Sequence, residues 1–218
     1  MRLKHRLTLT RLTFLVITAF LMGCAGVVPK PSQVNFIPPV VTLDSVEVVH
    51  YWGWWYFSDD VKPTLGKAGN YGAPLDLAFT FNIENPNPYP VMMEDLRFTI
   101  AFEAFDLNTV SAATTQWIPA GKSKKWIGGR WIPTGKVNQV RVQAMFDGRQ
   151  SMLNLRQTGG FKLQEKGMGA GTAGAFKQLE AWWKGVPDFA FPIHVKEGAA
   201  IFRANGLTQV STFGATFP

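Results

Sequence analysis

The sequence predicts a mainly β fold, a two-sheet antiparallel β-sandwich with one or two short helices. Three observations predict it. Leu75, Leu77, Phe79, Phe81 and Ile83 alternate with Asp76, Ala78, Thr80, Asn82 and Glu84, giving one apolar face and one mostly polar face over ten residues. Leu96, Phe98, Ile100 and Phe102 alternate in the same way with Arg97, Thr99, Ala101 and Glu103. The remaining apolar runs are short, are separated by turn residues and show no internal repeat.

Strands of this kind belong to antiparallel sheets that lay one side on a core. The composition supplies that core: 46% of the 218 residues are hydrophobic and 17% charged, which argues against wholesale disorder.

The chain opens differently. Arg2, Lys4, Arg6 and Arg11 precede an apolar run, Thr13 to Leu21, and then Leu21-Met22-Gly23-Cys24. The run is too short to span a bilayer comfortably and reads as an export signal. An ordinary signal peptide or a short N-terminal anchor is the plainer alternative. The tetrad, however, resembles the bacterial lipobox, which implies cleavage of residues 1–23 and lipid on Cys24. One acyl chain anchors only marginally, and the resemblance implies two or three. Ala25 after the cysteine resembles outer-membrane sorting in a cell with two membranes. The expected place is the cell envelope, lipid-anchored, facing the periplasm.

Cys24 is the single cysteine, so the chain can form neither an internal disulfide nor a cysteine-based metal cluster. The formal charge of +7 overstates the basicity of the mature chain. Four of the 22 basic residues and no acid lie before Cys24, leaving 18 basic against 15 acidic, a balance of +3. This gives little support to nucleic-acid binding.

From Cys24 to residue 40, Pro29, Pro31, Pro38 and Pro39 predict a semi-stiff, extended tether. Residues 41–57 predict a strand in which Val46, Val48, His50, Trp52 and Trp54 share a face. Residues 58–74, with two prolines and three glycines, predict a loop. The strands at 75–84 and 96–103 are expected to pair with each other across Asn85-Pro86-Asn87-Pro88-Tyr89-Pro90. Proline donates no ladder bond and holds its predecessor extended, so this segment is a rigid strand-exit corner, with Asn85 and Asn87 bonding nearby backbone.

Residues 115–133 predict a hairpin with a turn at Ala120-Gly121-Lys122-Ser123. Residues 136–147 read either as a short helix capped by Thr134 or as a strand through Val140-Arg141-Val142. Residues 157–174 are glycine-rich and predict a loop. Residues 175–184 predict an amphipathic helix with Phe176, Leu179, Trp182 and Trp183 on one side, ended by Gly185 and Pro187. A last strand or pair is expected between Phe189 and Phe213. The sandwich is thus expected over 41–218, with a glycine-rich and helical insertion at about 157–188.

The stretch from Leu77 to Pro90 resembles the signature of the type 2 late-embryogenesis-abundant proteins, also called the water-stress and hypersensitive-response (WHy) domain. An alternating strand leads there into Asn-Pro-Asn-Pro and an aromatic residue, and Ile118-Pro119-Ala120-Gly121-Lys122-Ser123 also fits the pattern. The resemblance covers roughly residues 41–133. It implies a fibronectin type III-like sandwich, a non-enzymatic role in stress protection or binding, no cofactor and no catalytic residue. Asn85, Pro86, Asn87 and Pro88 match the motif as structural residues.

Other features favour plain readings. Gly169-Ala170-Gly171-Thr172-Ala173-Gly174 spells G-x-G-x-x-G, but no buried strand precedes it, so it reads as a loop. His50 and His194 lack metal-ligand spacing, and Asp59-Asp60 reads as a solvated acidic turn. The aromatics are the open question. Trp52, Trp54 and Trp55 on one strand, with Trp182 and Trp183 on the helix, are candidate interface residues. They either pack strand under helix, meet a partner protein, or, for Trp182-Trp183 flanked by Lys177 and Lys184, dip into lipid headgroups. The expected partners are the membrane, through Cys24, and other envelope proteins, with no small-molecule substrate. The alternative is an accessory subunit of an envelope complex.

Overall fold

The alternating segment 75–84 becomes the central strand of a three-stranded sheet. In the computed structural model, β1 (Val40–Tyr51), β2 (Leu75–Glu84), β3 (Val91–Phe102), β4 (Phe105–Ser111) and β5 (Gln116–Ile118) come first along the chain. They are followed by β6 (Lys124–Ile127), β7 (Arg130–Pro133) and β8 (Asn138–Phe146). Helices α1 (Gly148–Thr158), α2 (Gly160–Glu165) and α3 (Gly171–Gly185) precede β9 (Ile193–Ala204) and β10 (Leu207–Phe217). The structure describes residues 29–53, 74–112, 115–121, 124–127, 130–133 and 138–218, with β6 and β7 described by backbone alone.

Two antiparallel sheets pack face to face, one ordered β1-β2-β8 and the other β10-β9-β3-β4, with β5 following β4 along the same edge of β3. This is the predicted sandwich. Each inward residue of β2 is fully buried, as are Leu96, Phe98, Ile100 and Phe102 of β3. Phe98 joins the sheets: its ring lies 5.3 Å from Phe79, 5.0 Å from Phe81 and 6.4 Å from Phe213. Edge-to-face pairs add about 0.5–1.5 kcal/mol each beyond the area they bury.

Several expectations are corrected. β2 and β3 do not pair with each other; they lie in opposite sheets, β2 between β1 and β8, and β3 between β9 and β4. The reason is the corner between them. Three prolines in five residues leave it too stiff and too poor in donors to fold back as a tight hairpin, so it carries the chain across the sandwich. Residues 138–146 are strand, because Val140, Val142, Ala144 and Phe146 are buried in alternation. Trp117-Ile118 pairs with Met92-Val91 of β3, and Lys124–Ile127 pairs with Arg130–Pro133, so the 115–133 hairpin is replaced by an edge strand and a separate ribbon.

Strand β1 keeps its apolar face by two register shifts. Val41 and Leu43 face Ile83 and Phe81, the first shift sets Asp44 aside, and Val46 and Val48 face Phe79 and Leu77. The second shift sets Val49 aside and turns Tyr51 inward opposite Leu75. A bulge reverses the two-residue phase, so His50 and Trp52 do not share the face of Val46 and Val48 as expected. Trp54 and Trp55, with the loop expected at 58–74, lie at positions of which only 74 is among the described residues.

The loop expected at 157–174 is largely helical, and the insertion begins earlier, at α1. The three helices sit at the end of the sandwich where β1 and β3 finish. The rings of Phe102 and Phe146, the last residues of their strands, meet there at a tilt of 36° with centroids 5.3 Å apart. Trp182 is 1% exposed, with its ring 5.5 Å from Phe102 and 5.4 Å from Phe105. Glu103, in the left-handed region at φ 52°, gathers donors from the helices: Trp182 Nε1 at 3.1 Å, Gln178 Nε2 at 3.3 Å and Lys166 Nζ. The Tyr51 hydroxyl donates to the Trp183 carbonyl at 2.5 Å.

Truncating the residue that joins the sheets should cost more than truncating an edge residue. Phe98→Ala is expected to lower the unfolding free energy by about 3–5 kcal/mol. Val210→Ala, on an exposed position of β10, should cost less than about 0.5 kcal/mol, both read from urea denaturation.

Candidate functional site

The corner between β2 and β3 is where the sequence signature and the structure converge. Its two asparagine side chains are buried and fully engaged. Asn85 Nδ2 donates to the carbonyls of Tyr89 (2.9 Å) and Pro119 (3.0 Å), with that of Ile118 at 3.4 Å. Asn85 Oδ1 accepts from Asn87 N (3.0 Å) and Asn87 Nδ2 (2.9 Å). Asn87 then reaches across to the segment before β1. Its Oδ1 accepts from Ile37 N at 2.9 Å, and its Nδ2 donates to Ile37 O at 2.7 Å. One side-chain amide thus pairs with a backbone residue as a strand neighbour would.

The geometry leaves no room for error on the far side. Gly121 N donates to Asn87 O at 3.2 Å, and a Cβ at 121 would lie 1.6 Å from the Asn85 carbonyl oxygen. Only glycine permits that approach. Tyr89 completes the corner: its hydroxyl lies 3.0 Å from Asn35 Oδ1 and 3.1 Å from the Asn35 carbonyl, and its ring meets Phe36 edge-on at 6.4 Å. Burial pushes the Tyr89 phenol above its ordinary value of 10.0.

The segment expected to be a semi-stiff tether is therefore partly a strap. Residues 31–39 lie on the sandwich, with Phe36 and Pro39 buried. Ser32 and Asn35 close a turn through Ser32 N to Asn35 Oδ1 at 2.8 Å. Gln209 Nε2 donates to Phe36 O at 3.3 Å, and Ser211 Oγ donates to Pro39 O. Residues 33–35 form a turn, so this part of the segment is not the extended chain expected from its prolines. What the sequence did not signal was the Phe36 side chain and the carbonyls that the corner and β10 capture.

The other candidate residues are placed as follows. Cys24 lies outside the described residues, as do Trp54 and Trp55. Trp52 stacks on His50 with ring centroids 5.5 Å apart and is exposed. Trp182 and Trp183 are 1% and 0% exposed, which overturns their reading as interface or headgroup-dipping residues: they seat the helices on the sandwich end. His194 bonds Thr216 Oγ1 through Nδ1 at 2.9 Å and lines a shallow open groove with Glu103 and Lys196. The G-x-G-x-x-G segment opens α3, where a Cβ at Gly174 would lie 2.0 Å from the Gly169 carbonyl, so packing accounts for that glycine. Among the described residues no group of three His, Cys, Asp or Glu side chains is placed to hold a metal ion, and no helix is long and apolar enough to cross a membrane.

No protein-family model matches the chain, and no curated protein matches it significantly in sequence. Solved structures show distant likeness. A protein from Archaeoglobus fulgidus is 7% identical, with 81% of this chain and 94% of that one covered at a TM-score of 0.37. A protein from Bordetella pertussis, assigned as an ApaA protein, is 10% identical, with 83% and 92% covered at a TM-score of 0.30. Likeness at that level assigns no function.

Two outcomes test the corner. Asn87→Ala leaves Ile37 N–H, Ile37 O and part of Asn85 without partners, and is expected to cost about 2–4 kcal/mol. Hydrogen exchange at the Ile37 amide should accelerate more than exchange within β2; uniform protection would show that Asn87 does not hold the strap. The Tyr89 shift gives a pH dependence. The fold disfavours the phenolate, so this contribution is complete below about pH 10 and is lost as pH rises through the higher folded value. Tyr89→Phe should therefore flatten the fall of the urea midpoint as pH rises above about 10.

Proposed function

We propose that the protein is a lipid-anchored, non-enzymatic component of the cell envelope whose sandwich serves as a type 2 LEA (WHy)-like protective or binding module. One observation carries the reading. The polar groups of the signature asparagines are spent on this chain's own backbone, and half of them on the strap that leads back toward Cys24. A catalytic asparagine keeps a polar atom for substrate; these keep none. The corner is built to hold the chain that continues to the lipobox-like Leu21-Met22-Gly23-Cys24.

The leader supports the anchor independently, since a short apolar run, a basic start and a single cysteine all fit one export route. The location that follows is the envelope, on the outer membrane facing the periplasm where the cell has two membranes. The accessory-subunit reading draws on a different observation: Trp52 and Trp117 are large aromatic side chains left exposed on opposite regions of the sandwich. Exposed aromatics of this size favour a contact surface.

Cys24→Ser is expected to abolish labelling by a fatty-acid probe and to release the protein from the membrane fraction. Retention of both signals in the variant would sink the anchored reading. Cross-linking in intact cells, with and without osmotic stress, separates the roles. A broad set of envelope proteins that grows under stress supports the protective module, and one stoichiometric partner in both conditions supports the subunit.

A further inference from the structure

The strap is seated on the sandwich in the way a bound peptide is. Asn87 takes both backbone groups of Ile37, its Oδ1 accepting from the N–H at 2.9 Å and its Nδ2 donating to the carbonyl at 2.7 Å. Gln209 Nε2 donates to Phe36 O at 3.3 Å, Ser211 Oγ to Pro39 O, and the Tyr89 hydroxyl to Asn35 O at 3.1 Å. The Phe36 ring enters the sandwich and meets Tyr89 edge-on. The receiving groups are side chains of the β2–β3 corner and of β10. What they hold is main chain and one aromatic ring.

The corner holds a second segment of the same pattern. Phe36-Ile37-Pro38 and Trp117-Ile118-Pro119 both read aromatic-Ile-Pro. Asn87 Nδ2 bonds the Ile37 carbonyl, and Asn85 Nδ2 lies 3.4 Å from the Ile118 carbonyl and 3.0 Å from that of Pro119. The side chains are placed oppositely: Phe36 is buried and Ile37 exposed, whereas Trp117 is exposed and Ile118 buried. The shared feature is main chain, a residue kept extended by the proline after it whose carbonyl goes to a side-chain amide. The two segments are held with different firmness. Ile118 is paired with Val91 in the sheet. Of residues 31–39 only Phe36 and Pro39 are buried, and a segment with so few buried contacts opens at the low end of the free-energy range.

The slot defines its ligand. The first position needs a ring to take the place of Phe36 against Tyr89. The second needs an N–H and a carbonyl for Asn87, and its side chain stays outside, as that of Ile37 does. Prolines suit the next two positions, because they bring no N–H to be satisfied and their extended shape is already set. Aromatic-lined grooves that bind proline-rich segments exploit the same preformed chain.

We propose that this slot is a recognition site for extended aromatic-X-Pro-Pro segments of a partner protein, filled in cis by Phe36-Ile37-Pro38-Pro39 and vacated when the strap lifts. Exchange of straps between two copies would break and remake the same bonds, whereas a partner segment not already seated elsewhere gains them. The proposal rests on the binding-module reading and gives that module a ligand. The cis segment competes at the millimolar effective concentration of a short linkage, so trans binding strengthens as the strap is loosened.

The test measures fluorescence anisotropy of a labelled peptide, Ser-Gln-Val-Asn-Phe-Ile-Pro-Pro, the sequence of residues 32–39, with the full chain. Phe36→Ala and the milder Phe36→Leu loosen the strap and leave the slot intact; cooperative urea unfolding shows which of them keep the fold. Each folded variant is expected to bind the peptide about tenfold or more tightly than the unsubstituted chain. Adding Gln209→Ala to the variant, or replacing the peptide's phenylalanine by alanine, should remove most of that gain. Absence of binding by the folded variants overturns the proposal, and so does binding that Gln209→Ala leaves undiminished. Dimers of the unsubstituted chain that the peptide dissolves, read by light scattering, would make a second copy the occupant and overturn the partner. Failure here removes the slot and leaves cross-linking in cells to judge the binding module. Peptide binding by a chain that captures no envelope protein in cells removes the module and leaves the slot.

Discussion

The structure depends on a chain of amide hydrogen bonds: Pro119 to Asn85, Asn85 to Asn87, Asn87 to Ile37. Its origin is a deficit. Pro86, Pro88 and Pro90 give the crossover stiffness but remove three backbone donors from a segment in which Asn85, Asn87 and Tyr89 are buried. A buried carbonyl without a partner costs about 1–3 kcal/mol, and here those of Tyr89 and Pro119 are bonded by Asn85 and that of Ile37 by Asn87. The asparagine side chains supply the missing donors and acceptors. Because the two side chains bond each other as well as the backbone, neither is free to take another rotamer without stranding its neighbour. That interdependence makes the corner rigid rather than merely satisfied.

Much of the architecture follows from it. A stiff crossover puts β2 and β3 in different sheets, and that placement lets Phe79, Phe81 and Phe98 meet across the core. The same corner fixes the strap, and the strap fixes where β1 begins, at Val40 opposite Glu84. At the other end the fold relies on a different device. Glu103 accepts a strained left-handed backbone so that one carboxylate oxygen can receive Trp182, Gln178 and Lys166 together. Its side chain is only about a third exposed, so this contact is less screened than an ordinary surface ion pair. One end is closed by neutral amides and the other by a charged latch.

What was legible in the sequence was what has a period. The alternation of 75–83 and 96–102 named their strands and inward faces correctly, since a two-residue repeat has one physical solution in a half-buried sheet. The β1 face was misread after Val48 because a bulge leaves no compositional mark; Val49 looks like any strand valine. The helix α1 was missed because it buries Ser151 and Leu155 but leaves Leu153 exposed, too weak a stripe to stand out beside Gly159-Gly160. The pairing of β2 with β3 was misjudged because short connections usually join neighbours, and three prolines are what makes this one an exception. At the corner itself the asparagines were recognised as backbone ligands, but their partners were not. Ile37 lies 50 residues away, and nothing in Asn-Pro-Asn-Pro says which strand end it will meet. The tryptophans show the limit most plainly: Trp182 and Trp183 sit in a sequence context as amphipathic as any surface helix, and only the Phe102, Phe105 and Glu103 lining reveals that they are core.

The same bonds decide how the chain reaches β1. Pro38 and Pro39 carry no backbone donor, so the strap cannot pair as a strand; its carbonyls are captured by side chains instead, Ile37 O by Asn87, Phe36 O by Gln209 and Pro39 O by Ser211. The signature asparagines therefore do more than complete a turn. They help hold residues 31–39 on the sandwich, and with them the start of β1 at Val40 opposite Glu84.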